Sequence, residues 1–171
     1  VRIAVLASGS SGNAILVSSN STSVLVDAGI SARRVRRAAG TVGVQSQSID
    51  AVLVTHEHSD HVGGLATLTR QLALPVVASA GTHAAIRDGI RDGGARIKVE
   101  AGREYSIGDL GVTPFATSHD CAEPLGFSIT DGRRRVAIAT DLGVVGRSVR
   151  RHLLAADCVV LEFNHDERML L

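Results

Sequence analysis

The run His56-Glu57-His58-Ser59-Asp60-His61, set directly after the apolar stretch Ala51-Val52-Leu53-Val54, constrains this chain more than any other feature. Three imidazoles and a carboxylate fall within six residues, and these are the groups that zinc and its neighbours prefer as ligands. On an extended segment His56 and His58 lie two residues apart and face the same side, so both can bind one ion. Asp60 and His61 continue past the strand and can turn toward a second ion beside the first. A carboxylate at the start of the following helix is also electrostatically favoured. One short run cannot close two coordination spheres, so the fold must bring further ligands from elsewhere.

Strand ends supply them. His119 stands in Thr117-Ser118-His119-Asp120, and Asp141 stands in Ala139-Thr140-Asp141-Leu142-Gly143. Asp27, in Asp27-Ala28-Gly29, ends an earlier strand in the same manner and reads either as a ligand or as a turn residue. Polar residues at strand ends beside glycine are where such folds place their sites. His83 falls in a helical stretch and reads as structural or solvated. His152, beside Arg150 and Arg151, reads as surface. His165, in Asn164-His165-Asp166, fits a site or a structural role equally.

The spacing of apolar residues places strands at 2–7, 14–18 and 23–26, the first two joined by the tight turn Ser8-Gly9-Ser10-Ser11-Gly12-Asn13. A helix capped by Ser31 is expected through Ala39 with Gly40 as its stop, carrying Arg33, Arg34, Arg36 and Arg37 on one basic face. Residues 51–55 form a strand, and one helix, capped by Ser59 or Asp60, covers 62–72 with Leu65, Leu68 and Leu72 on one side. A strand over 75–79 and a helix over 82–90 follow. Strands are then expected at 96–99, 104–107, 112–117, 126–130 and 136–140, with Asp131-Gly132 as a hairpin turn. A helix over 148–155 and a strand over 158–163 complete the pattern. Two sheets packed together with helices outside is the simplest layering, as one domain spanning 1–171.

Hydrophobic content of 44% and charge of 20% describe a globular protein rather than a disordered one. The net charge of +1 argues neither for nor against nucleic acid. Aromatic residues make up 2% of the chain and Trp is absent, so a base-stacking platform for single strands is not expected. Cys121 and Cys158 are far apart and form no C-x-x-C pair, which fits a reduced, cytoplasmic setting. No stretch reads as a signal peptide or a membrane span. The sequence stops at Met169-Leu170-Leu171, where a new helix is expected after Asn164-His165-Asp166, so a longer native chain is expected.

The ordered series Asp27-Ala28-Gly29, Thr55 to His61, His119 and Asp141 resembles the metallo-β-lactamase-fold superfamily across almost the whole chain. The resemblance implies an α+β fold, a four-layer αββα sandwich with two metals at the sheet edges. It also implies that a C-terminal part of the family fold is missing. Residues 6–13, 118–124 and 162–166 further resemble the YycJ/WalJ-type branch, a bacterial cytoplasmic group of metal-dependent 5′–3′ DNA exonucleases linked to mismatch repair. Carried over by position, His56, His58 and His119 would hold one divalent ion, Zn or Mn. Asp60 and His61 would hold the second, and Asp141 would bridge. The family's remaining histidine for the second ion has no counterpart after His165.

On that footing the expected reaction is attack on a DNA phosphodiester by a hydroxide bridging two ions, oriented by Asp60. His165 is one candidate for the general acid. DNA is the expected partner, held through its backbone without sequence preference by Arg33, Arg34, Arg36 and Arg37 or by Arg133, Arg134 and Arg135. A small-molecule hydrolase acting on a cyclic phosphodiester, a thioester or a lactam is the runner-up, since fold alone does not fix substrate. A catalytically incomplete metal-binding fragment is the third reading.

Overall fold

A computed structural model of the chain describes residues 1–86 and 94–163. Two sheets account for its strands. The first runs β1 (Arg2–Ala7), β2 (Ala14–Ser18), β3 (Ser23–Val26), β4 (Ala51–Leu53), β5 (Val76–Ala78), β6 (Arg96–Lys98) in spatial as in chain order. Its first three strands are antiparallel, and β3 through β6 pair in parallel. Parallel neighbours require crossovers. These are α1 (Ala32–Thr41) after β3, α2 (Ser59–Val62) and α3 (Leu65–Leu72) after β4, and α4 (Ala80–Ala85) after β5. The second sheet has the order β11 (Cys158–Phe163), β10 (Arg135–Leu142), β9 (Leu125–Thr130), β8 (Leu110–Ala116), β7 (Tyr105–Ile107). It is antiparallel apart from β10 and β11, which α5 (Arg147–Leu154) connects.

Strict alternation along the strands builds the layers. Ile15, Val17, Val24, Val26, Ala51 and Leu53 of the first sheet meet Leu110, Val112, Phe127, Ile129, Val136 and Ile138 of the second in one buried cluster. The neighbouring residues Leu16, Leu25, Val52 and Val76 point the other way and pack with Val35 of α1 and Leu65 and Leu68 of α3. On the far side Phe115 and Ala139 pack with Val149 of α5. Helix, sheet, sheet, helix is therefore the layering, and a fully buried Leu, Ile or Phe contributes about 2 kcal/mol to it.

Four departures from the sequence expectations appear. The single helix expected over 62–72 is two, because Gly63 and Gly64 interrupt it. A Cβ on Gly64 would sit 1.9 Å from the Ile30 carbonyl oxygen, and the Gly64 N–H donates to Ala28 O at 2.7 Å. The chain is thus drawn against the loop that follows β3. Gly40 does not stop α1, which runs on to Thr41. The turn comes at Gly43, with φ of 77°. Asp141 lies within β10 rather than after it, at a bulge where the pairing with β11 shifts register. The helix expected over 82–90 begins earlier, at Ala80 with Ser79 as its cap, and its later part lies outside the described residues.

Candidate metal centre

The ends of β3, β4, β8 and β10 converge at one edge of the two sheets, and the polar residues there come from each of them. Strand β4 delivers His56 and His58. The turn that follows is tight, since His58 O accepts from His61 N at 2.9 Å and from Val62 N at 3.1 Å. That turn folds His61 back beside His56, their ring centroids 4.0 Å apart. His119, on the loop after β8, places its ring 4.7 Å from His56 and 4.8 Å from His58.

Two groups of ligand atoms result, each within 4.8 Å: His56, His58 and His119, and His56, His61 and Asp141. His56 belongs to both. Within the first, His119 Nε2 and His58 Nδ1 face each other at 3.0 Å. Within the second, Asp141 Oδ2 lies 2.7 Å from His61 Nε2 and 3.6 Å from His56 Nε2. Asp60 is outside both groups. Its Oδ2 stands 3.4 Å from His61 Nε2, and its side chain is partly exposed. His165 lies outside the described residues.

Asp27 sets the direction of His56 and His61. Its Oδ1 accepts from the Thr55 N–H and its Oδ2 from the Thr55 hydroxyl, both at 2.8 Å. Oδ2 also accepts from His61 Nδ1–H at 2.8 Å. The Thr55 Oγ1, committed as a donor to Asp27, accepts from His56 Nδ1–H at 3.0 Å. Both histidines are thereby protonated on Nδ1 and turn Nε2 toward the same space, where the His61 Nε2 holds a second proton toward Asp141. The Nε2 of His56 is buried and has no hydrogen-bond partner among the described residues. A buried, orphaned imidazole lone pair beside a carboxylate is what a cation would satisfy, and the nitrogen and oxygen donor set suits zinc or manganese.

The backbone confirms how closely this corner is specified. Asp27 and Asp141 both have positive φ, 61° and 51°. Such a conformation costs an L-residue about 1–2 kcal/mol, and aspartate tolerates it better than most. Sequence reasoning left Asp27 open between turn and site. Its position two residues before Gly29, where a Cβ would overlap Asp60 O, was the available signal. Asn13 was missed as a site residue. It is buried, and its Nδ2 lies 3.1 Å from His61 Nε2 and 3.5 Å from Asp60 Oδ2.

Electrostatics follow the same geometry. Burial, with His61 nearby, lowers His56 to about 4, so the ring is neutral at physiological pH. Burial also acts to lower His61, but the Asp141 and Asp27 carboxylates at its two nitrogens outweigh it and raise the ring to about 10. The bond from His61 holds Asp141 below its ordinary value. Burial pushes the nearby Cys121 thiol up to about 12, so it is no thiolate. His83, buried and bonded to Ile97 O, is structural. His152 is not simply surface, since it stacks on Phe115 with centroids 4.5 Å apart.

Residues 22–170 match the family model of the beta-lactamase superfamily domain. The chain belongs to this superfamily. It is 35% identical over 172 residues to the exodeoxyribonuclease YycJ of Bacillus anthracis, covering 99% of this chain and 65% of that protein. It is 30% identical over 173 residues to the exodeoxyribonuclease WalJ of Streptococcus pneumoniae serotype 2, covering 99% of this chain and 64% of that one. The chain thus spans somewhat less than two thirds of the length of these relatives. Among solved structures, zinc-bound PqqB of Methylobacterium extorquens superposes with a TM-score of 0.70 at 21% identity, over 88% of this chain and 59% of that one. The superfamily fold is the metallo-β-lactamase sandwich, in agreement with the four layers and the two sheets. No helix among the described residues is long and apolar enough to cross a membrane.

Proposed function

We propose that this chain carries the catalytic centre of a DNA exonuclease that uses two divalent ions, Zn or Mn, and works in the 5′–3′ direction in the cytoplasm. The observation that carries the reading is that two groups of ligand-type atoms meet at one corner, joined where the Asp141 carboxylate lies 2.7 Å from His61 Nε2 and 3.6 Å from His56 Nε2, and a carboxylate has lone pairs enough for two adjacent cations. The likeness to two proteins named exodeoxyribonucleases over 99% of the chain supports the substrate class. Two free cysteines fit a reduced compartment.

In this reading His56, His58 and His119 hold one ion, Asp60 and His61 hold the other, and Asp141 stands between. Bound together, the ions supply an acidified water and neutralise charge on the phosphoryl group. The protein's own residues do the rest. Asp27 fixes the tautomers of His56 and His61. Asp60, partly open to solvent, orients the attacking water and accepts its proton. Asn13 steadies Asp60 through its amide. The exposed Arg33, Arg34, Arg36 and Arg37 on α1, or Arg133 and Arg134 on the β9–β10 turn, meet the DNA backbone. His165 remains the proposed proton donor to the leaving oxygen.

The test is digestion of end-labelled duplex DNA in the presence of Mn²⁺ or Zn²⁺, run beside a cyclic phosphodiester, a thioester and a lactam. Release of label from the 5′ end first is the expected result. Hydrolysis of a thioester or lactam with DNA left intact under both ions would overturn it.

A further inference from the structure

Glu57 lies between His56 and His58 in the chain and is in neither ligand group, yet it is not a spare surface carboxylate. Its Oε1 accepts from the Ala122 N–H at 2.7 Å. Its Oε2 is shielded from solvent and has no hydrogen-bond partner among the described residues. Leaving one oxygen of a carboxylate in that condition is unfavourable, so the side chain is held there against its own solvation.

Ala122 belongs to the loop that carries His119. That loop is long and its middle is irregular, so His119 depends on what fastens it. Three fastenings are visible. Ser118 O accepts from Gly143 N at 2.8 Å, which ties the loop's start to the strand carrying Asp141. Glu123 Oε2 accepts from Gly81 N at 2.7 Å, and Glu123 O accepts from the Ser79 hydroxyl at 2.8 Å, which tie its end to α4. Glu57 is the fastening that joins the loop's backbone to the histidine run. A shift of the Ala122 segment would move His119, three residues earlier, relative to His56 and His58.

We propose that Glu57 is a positioning residue that locks the His119 loop to the histidine run and so completes the ligand set of one ion. It touches neither ion nor substrate and acts through the Ala122 N–H. Charge-assisted bonds from a backbone N–H to a carboxylate are short and directional, which suits them to this task. The inference rests on the reading of His56, His58 and His119 as ligands of one ion and is independent of what the centre hydrolyses.

The experiment uses Co²⁺ alone as probe, titrated into the metal-free chain and followed by its visible absorption. Backbone amide exchange at Ala122 is measured on the same metal-free samples. Glu57→Ala is expected to weaken Co²⁺ binding by roughly tenfold to a hundredfold, the range seen when outer partners of ligands are removed. It should also speed exchange at Ala122. Glu57→Gln, whose amide oxygen can accept the same bond, should restore most of both. Equal Co²⁺ affinity and an unchanged spectrum in Glu57→Ala would overturn the proposal, as would an unprotected Ala122 amide in the wild-type chain if Glu57→Ala fails to fold. No Co²⁺ binding by the wild type would instead overturn the ligand reading itself.

Discussion

Asp27 Oδ2 lies 2.8 Å from His61 Nδ1 and 2.8 Å from the Thr55 hydroxyl, and that hydroxyl is itself 3.0 Å from His56 Nδ1. One buried carboxylate therefore sets the protonation of two imidazoles from opposite ends of the histidine run. The arrangement separates the tasks at this corner. Asp27 holds the Nδ1 protons, directly on His61 and through Thr55 on His56, and both Nε2 atoms are turned toward Asp141.

Replacing Asp27 by Asn should disturb both tasks. The Asn amide cannot accept from Thr55 N, the Thr55 hydroxyl and His61 together while offering a negative charge. Breaking such a buried pair costs about 3 kcal/mol or more. Chemical denaturation of the metal-free variant should show that loss, and zinc affinity should fall by roughly tenfold to a hundredfold. A variant as stable as the wild type would mean that Asp27 is only a turn residue.

The raised value of His61 makes metal uptake dependent on pH. In the metal-free chain the ring is charged up to about 10, against an ordinary 6.5. Its contribution to stability is fully present below about 6.5 and is lost as pH rises through about 10. An ion must displace that proton, so the apparent affinity should rise about tenfold per pH unit across neutral pH. Calorimetric titration at pH 7.5 in buffers of different ionisation enthalpy should report about one proton released per chain. An affinity that is flat with pH would show that His61 keeps its proton and binds no metal.

Gly64 offers a test of the fold that holds the site. Gly64→Ala places a Cβ 1.9 Å from Ile30 O, with backbone rather than a flexible side chain as the obstacle. Overpacking of this kind costs about 2–3 kcal/mol. Thermal unfolding should register it, and metal affinity should drop because the turn carrying His61 shifts. An alanine variant with unchanged unfolding would place the break between α2 and α3 elsewhere.

The basic face of α1 predicts salt-dependent DNA binding. Reversing Arg33, Arg34, Arg36 and Arg37 to Glu in pairs should weaken binding of duplex DNA at low salt. It should flatten the salt dependence by about one counterion for each lost phosphate contact. Zinc affinity should stay the same, since none of the four lies in either ligand group. An unchanged salt slope would move the DNA track to the turn at Arg133 and Arg134.

Much of this architecture was readable from residue patterns, and the exceptions are instructive. Short apolar runs at β2, β3 and β8 to β10 reveal strands because each has a face in the inter-sheet core. The convergence of His56, His58, His61, His119 and Asp141 was legible because ligand-type residues at strand ends have few structural uses there. What sequence could not convey was long-range and backbone-mediated. The break at Gly63 and Gly64 depends on contact with Ala28 and Ile30, more than 30 residues earlier. The roles of Asp27, Asn13 and Glu57 depend on hydrogen bonds to residues 28, 48 and 65 positions away. Local propensity carries no trace of such partners.

Metal counting by elemental analysis after equilibrium dialysis against Zn²⁺ tests the central claim most directly. Two ions per chain are predicted for the wild type, with His119→Ala losing one of them and Asp141→Ala, which removes the carboxylate between the two groups, losing both. A wild-type chain that retains no zinc, or an Asp141→Ala chain that retains two ions, would contradict a two-ion centre organised around Asp141.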